Sequence, residues 1–257
     1  MVCKDLTLID LKYINDTVYK MVLKASEKLP PIKAGQFVHL KINDNGFLLR
    51  RPFCVYDYTD YTISLIVAVV GDGTKVLSQA KIGEKISTIF PIGNGFSILD
   101  SQKNVVLLGG GIGCAPLLTA YKNYADKNFS VYLGFANKAA VMMDDDFKKA
   151  YNNVTVCTDN GSFGVKGYAL QVMLDDIKSG KTKADIILTC GNENMIKAVK
   201  AATDKLKIPT LMSGEIRMGC GVGACLVCAC AVKEGDKIVN YRACVDGPVF
   251  DLAKVVM

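Results

Sequence analysis

Apolar and polar residues alternate in short runs through residues 1–97. The runs 6–13, 18–23, 37–42, 54–58, 62–69 and 85–89 are rich in Val, Ile, Tyr and Phe, and such alternation predicts half-buried strands. Pro30-Pro31, the polar stretch 43–46 and Thr59-Asp60 mark turns between them. One helical stretch, 74–79, interrupts the series. Regularly spaced short strands with a single helix predict a small antiparallel β-barrel.

The texture changes near residue 98. Val105-Val106-Leu107-Leu108 is a continuous apolar run ending in glycines, and 129–134, 154–158 and 185–189 are further short apolar strands. Helical periodicity occupies 115–124, 142–151, 169–177 and 194–206. Strand alternating with helix predicts a parallel α/β sheet with helices on both faces over 98–211. A cysteine- and glycine-rich tail follows at 212–257, short enough to be a module rather than a full domain. The fold class is thus α/β plus β, in three parts.

Composition narrows the function. The chain is 50% hydrophobic and 22% charged, too apolar for intrinsic disorder. Its net charge of +6 is scattered in singles and pairs, without the stripe that nucleic acid requires. The longest uncharged run, 104–121, is broken by four glycines and Pro116, so no membrane span is expected. The first twelve residues mix charged and apolar types and do not read as a secretory leader. A cytoplasmic location follows as an expectation, and with it ten cysteines kept out of disulfides. The single histidine, His39, lies in an apolar strand and reads as a satisfied core residue; without a second histidine, triad hydrolysis is excluded.

Five of the ten cysteines fall between 220 and 244. Cys220, Cys225 and Cys228 are spaced C-x4-C-x2-C, and Cys244 follows after fifteen residues. That is the plant-type spacing for a [2Fe–2S] cluster, and Gly221 and Gly223 suit a loop whose amides must converge on sulfur. Zinc prefers two paired knuckles and fits a four-residue gap less well, so it stays as the lesser alternative. Cys230 is expected as a buried thiol in a short strand.

Three further features suggest nucleotide phosphates. Gly109, Gly110, Gly111 and Gly113 follow a strand and open a helix, where free amides hold a pyrophosphate. Asp159 and Ser162 follow the strand 154–158, a position suited to a ribose, and Cys190-Gly191 ends a third strand at the same edge. With no cation beside it in sequence, Cys190 suits packing or nicotinamide contact better than nucleophilic attack. In the barrel, Arg51 before Pro52, Phe53 and Cys54, together with Gly73-Thr74 at a helix start, make a second phosphate site plausible.

In this order the motifs resemble the ferredoxin reductase superfamily. The tail 215–225, ending in Cys244-Val245-Asp246-Gly247-Pro248-Val249-Phe250, is similar to one family within it, the electron-transfer subunits of NAD-dependent dihydroorotate dehydrogenases. The resemblance implies FAD on the barrel, at Arg51, Pro52, Phe53 and Cys54, along Ile66, Val67 and Ala68, and at Gly73 and Thr74. It implies NAD at Gly109, Gly110, Gly111 and Gly113, with Asp159, Ser162, Cys190 and Gly191, and the cluster on Cys220, Cys225, Cys228 and Cys244. It also implies a partner subunit carrying FMN and the dihydroorotate site, assembled as two copies of each. Electrons would pass from that FMN through [2Fe–2S] and FAD to NAD+ in de novo pyrimidine (UMP) biosynthesis, with no general acid or base in this chain. Cys54 stands where the family has serine or threonine, and Asn160 where it commonly has aspartate. Two rivals remain: the small subunit of an NADH-dependent ferredoxin or sulfide reductase, and a zinc-stapled nucleotide-binding regulator.

Overall fold

A computed structural model describes residues 1–43 and 46–257 of the chain, so the predicted turn at 43–46 falls partly outside the described residues. The N-terminal part is a seven-stranded antiparallel sheet of β1 (Val2–Asn15), β2 (Val18–Lys24), β3 (Phe37–Leu40), β4 (Arg51–Cys54), β5 (Asp57–Tyr58), β6 (Thr62–Ala68) and β7 (Lys85–Ile92), in the order β4-β3-β7-β1-β2-β6-β5. Helix α1 (Asp72–Leu77) follows β6.

The run predicted as one strand at 54–58 is two, because the chain changes partner there. Val55 N donates to Gln36 O at 3.0 Å on the β3 side, and Tyr56 N donates to Ser64 O at 2.9 Å on the β6 side. One segment thereby bridges the two edges of the sheet and curls it into a barrel. Pro52, which has no N–H to give, is tolerated because β4 lies at an edge. Alternate residues (Leu6, Leu8, Met21, Leu23, Val38, Leu40, Leu65, Val67) fill the interior.

The second sheet holds β8 (Asn104–Gly110), β9 (Asn128–Phe135), β10 (Val154–Thr158), β11 (Val165–Lys166), β12 (Ile186–Cys190), β13 (Thr210–Ser213) and β16 (Val249–Asp251), in the order β11-β10-β9-β8-β12-β13-β16. All pairs are parallel except β13–β16. Val105, Leu107 and Leu188 face one side with α3 (Asp144–Ala150), while Val106, Leu108 and Ile187 face the other with α4 (Ala169–Lys178) and α5 (Glu193–Leu206). The winding reverses between β8 and β12, which opens a crevice at their carboxyl ends.

Two features depart from the sequence reading. The helix expected at 115–124 is a 3-10 segment, Gly111–Leu117, followed by the short α2 (Ala120–Asn123), since Pro116 inside it has no amide to donate. The tail has regular structure: β13 runs through positions 211 and 212, a hairpin forms from β14 (Ala229–Glu234) and β15 (Lys237–Arg242), and β16 returns to the α/β sheet.

Polar clamps lock the parts together. Tyr56 donates to Asp146 at 2.6 Å and Lys122 pairs with Asp57 at 2.5 Å across the barrel and α/β layers. Asn94, just after β7, holds the tail: its Nδ2 donates to Asp246 O (3.1 Å) and Val249 O (3.0 Å), and its Oδ1 accepts from Val249 N (3.0 Å). Phe37 and Ile92 of the barrel share one apolar core with Cys228, Cys244 and Phe250. Among the described residues no helix is long and apolar enough to cross a membrane. Asn94→Ala removes three side-chain bonds and is expected to destabilise the chain by about 2–3 kcal/mol, read as a lower urea midpoint at unchanged m-value.

Candidate functional site

The barrel offers an anion-binding corner where β4 meets α1. The Arg51 guanidinium lies over Gly73, and a Cβ at that glycine would stand 3.1 Å from Nε. Arg51 Nη1 is fixed by Leu49 O at 2.7 Å, and the group rests over the Phe47 ring. Arg50 beside it is engaged with Ser87, donating to its carbonyl at 2.6 Å. The Thr74 hydroxyl is held within its own turn, accepting from Val70 N at 3.0 Å and donating to Gly71 O at 2.8 Å. It shapes the corner, and the amides and Arg51 are left to meet an anion. On β6, Ile66 and Ala68 face the α/β layer while Val67 points into the barrel, so Val67 offers only its backbone.

The crevice of the second sheet contains a cavity of about 770 Å³, with the Gly109–Gly113 turn as its floor, Asp159 and Gln171 on its walls, and Gly191 and Glu215 also lining it. Its glycines are required by close approaches. A Cβ on Gly113 would stand 2.8 Å from the backbone of Cys190 and Gly191, and one on Gly110 would stand 2.4 Å from Met195 Sδ. Backbone thus crowds backbone at the switch point, the cradle a pyrophosphate needs. Ser162 lies outside this cavity: its hydroxyl meets Asn160 Oδ1 at 2.6 Å and accepts from Lys138 N at 2.8 Å.

Between barrel and crevice, the thiols of Cys54, Cys114 and Cys190 gather with Ser213 and Glu215. Burial pushes the Cys54 thiol up to about 11 and that of Cys190 well above its ordinary value, so both are neutral thiols at physiological pH. Cys54 on the barrel strand and Cys190 at the end of β12 thus bring the barrel corner next to the crevice of the α/β sheet. Sequence reasoning passed over Ser213 and Glu215. Their signal was the polar run Ser213-Gly214-Glu215 closing the short strand 210–213, hidden by the cysteine cluster behind it.

The cysteine loop arranges its sulfurs in two pairs. Cys220 Sγ accepts from the amides of Val222 (3.4 Å), Ala224 (3.3 Å) and Cys225 (3.4 Å), and Cys225 Sγ accepts from Cys220 N at 3.3 Å. Cys228 and Cys244 sulfurs lie 3.4 Å apart. These amides, Val222 first, lower the Cys220 thiol to about 6, while burial raises that of Cys244 to about 11. Gly221 and Gly223 adopt φ of +70° and +84°, which turns their neighbours' amides inward. Among the described residues no three His, Cys, Asp or Glu side chains converge on one point to hold a single metal ion. Cys220 with Cys225 and Cys228 with Cys244 form two pairs, an arrangement that suits a centre of two irons. Cys230 is buried on β14, as expected. His39 is buried, as its strand suggested, and the backbone at Arg50 and Cys220 approaches its ring, but neither ring nitrogen makes a hydrogen bond of normal geometry among the described residues.

A solved structure of an NADH-dependent reduced ferredoxin-NADP oxidoreductase matches with a TM-score of 0.85 at 30% identity, covering 98% of this chain and 89% of that one. Phthalate dioxygenase reductase matches in fold at a TM-score of 0.66 and 15% identity, over 91% of this chain and 88% of that one. The molecule is therefore an oxidoreductase with a ferredoxin-reductase-like fold. The model of an oxidoreductase NAD-binding domain matches residues 107–201, and that of the iron–sulfur cluster binding domain of dihydroorotate dehydrogenase B matches residues 215–256. Proteins named dihydroorotate dehydrogenase B (NAD(+)), electron transfer subunit, are 37% identical in Streptococcus mutans, over 99% of this chain and 98% of the relative, and 36% identical in Clostridium acetobutylicum, over 92% and 90%. The chain belongs to this family of electron transfer subunits.

Gly113→Ala drives a methyl into the Cys190-Gly191 backbone and is expected to weaken NADH binding roughly tenfold or more, with FAD content unchanged; titration of NADH against bound-flavin absorbance measures it. In the metal-free chain, Cys220 is ionised above about pH 6, so its alkylation by iodoacetamide should reach half its plateau rate near that pH. A midpoint near that of an ordinary thiol would contradict the amide cage.

Proposed function

We propose that the chain accepts electrons from the FMN of a dihydroorotate dehydrogenase catalytic subunit and delivers them, through [2Fe–2S] and FAD, to NAD+ in de novo pyrimidine (UMP) biosynthesis. A flavin exchanges hydride with nicotinamide and single electrons with an iron–sulfur cluster, and that is the chemistry the bound groups supply. The observation that supports this reading is the packing of the cysteine module on Phe37, His39 and Ile92 of the barrel, beside the nucleotide crevice.

Residues 1–97 form the FAD barrel, where Arg51 neutralises phosphate, the Gly73 amide faces it, and Pro52, Phe53, Cys54 and the 66–68 backbone line the ring system. Residues 98–211 hold NAD on the Gly109–Gly113 turn, with Asp159 toward the ribose and Cys190 and Gly191 at the nicotinamide end. Residues 212–257 hold the cluster, one iron on Cys220 and Cys225 and the other on Cys228 and Cys244. The thiols of Cys54, half-buried, and Cys190, buried, stand at the meeting point of the two ring systems and carry no charge there. Around the cysteine loop Val222, Leu226 and Val227 are 45%, 64% and 56% exposed, an apolar rim suited to docking the catalytic subunit. Two copies of each subunit in the cytoplasm complete the reading.

The match to the ferredoxin-NADP oxidoreductase at 30% identity favours one second reading, the small subunit of an NADH-dependent ferredoxin or sulfide reductase. Co-purification with an FMN-containing barrel enzyme, rather than with a large glutamate-synthase-like subunit, supports the first. Cys225→Ala is expected to reduce dihydroorotate-dependent NAD+ reduction by the complex at least roughly a hundredfold while NADH still reduces the FAD. Survival of the orotate-linked reaction would overturn the path.

A further inference from the structure

The chain has one histidine, and it sits between the two redox parts of the molecule. His39 lies on β3, opposite Pro52 of β4 on one side and Ile89 of β7 on the other. Its β3 neighbours Val38 and Leu40 point into the barrel, so His39 and Phe37 face outward. Phe37 shares a core with Cys228 and Cys244. The imidazole itself lies against the turn of the cysteine loop, where a Cβ on Gly221 would stand 2.3 Å from Nδ1 and 2.9 Å from Cε1. With φ at +70°, Gly221 is already a position for glycine alone, and the ring fills the space a side chain would take.

The ring is 0% exposed; the backbone carbonyls of Arg50 and Cys220 approach it, but neither ring nitrogen makes a hydrogen bond of normal geometry among the described residues. Buried polar groups are nearly always satisfied, and an orphan at a ligand site marks a partner that the protein does not itself supply. An imidazole carries at least one N–H whatever its charge, so a donor stands against this turn. The neighbouring cations are engaged elsewhere: Arg50 is held by Ser87, and Arg51 lies over Gly73.

We propose that His39 is a positioning residue for the iron–sulfur group, its ring wedging the Cys220-Gly221 turn against the barrel and its unpartnered N–H donating to a sulfur of the group held there. This rests on the [2Fe–2S] reading above. Hydrogen bonds to cluster sulfur stabilise the reduced, more negative state and raise the potential. His39 thereby sets how readily electrons pass between the cluster and the flavin.

Because the histidine is unique, isotope labelling addresses it alone. The chain is produced with 15N-histidine, assembled with unlabelled catalytic subunit, reduced, and studied by pulsed EPR. The proposal expects a nitrogen coupling to the reduced cluster that changes between 14N and 15N histidine and is absent in His39→Leu. It further expects His39→Leu to lower the cluster potential by about 59 mV, a tenfold change in a one-electron equilibrium, and His39→Gln, which keeps an N–H donor, to restore much of that shift. If the leucine variant does not load iron, the labelled wild-type spectrum decides by itself. A normal reduced-cluster signal without histidine coupling overturns the proposal and leaves the functional reading intact. Absence of any iron-based signal in the wild type overturns the functional reading, and this proposal with it.

Discussion

The pairing of β3 with β4 is the constraint on which the arrangement depends. Four residue pairs, Phe37 with Cys54 through Leu40 with Arg51, fix two adjacent strands in register. Their inward residues, Val38, Leu40 and Phe53, are held by the barrel core, so their outward residues are fixed as well. Outward on β3 stand Phe37 and His39 against the cysteine module; outward on β4 stand Pro52 and Cys54 beside the thiols at the end of β12. A slip of one residue would turn both rows into the core. The spacing between the barrel face and the cysteine module is thus set by backbone hydrogen bonds and not by flexible side chains.

The same economy governs the other contacts. Asn94 binds the segment after Cys244 to the end of β7, and β16 ties it to the α/β sheet through β13. The fourth cysteine is therefore placed by the barrel and the nucleotide layer together, although the tail alone could not build a core. The glycines at 109–113 let β8 and β12 approach until backbone meets backbone, while Tyr56 with Asp146 and Lys122 with Asp57 keep the barrel from rocking over the crevice. Electron transfer requires fixed distances, and each of these bonds removes a motion that would vary them.

Much of this was legible in the sequence because its signals are local. The alternation of the barrel strands, the apolar run into the Gly109–Gly113 turn and the C-x4-C-x2-C spacing each reside in a dozen residues or fewer. What escaped depends on tertiary partners. The run 54–58 reads as one strand because nothing local reveals that Val55 and Tyr56 pair with different neighbours. β13, β14, β15 and β16 are masked by the glycine and cysteine content around them, and β16 is a strand only because β13 lies beside it. Ser162 and Thr74 read as ligand contacts by position; the fold adds that Ser162 also binds Asn160 and Lys138, and Thr74 its own turn. His39 looked like an ordinary core residue because only the fold brings the Cys220-Gly221 turn against it.

The central claim is that four cysteines from a loop and a distant turn hold two irons within electron-transfer reach of a flavin on the same chain. Anaerobic isolation followed by metal, acid-labile sulfide and flavin analysis tests it most directly. The account predicts two irons, two sulfides and one FAD per chain, with a spectrum combining flavin and iron–sulfur bands. A colourless protein carrying a single zinc on those cysteines and no FAD would contradict it.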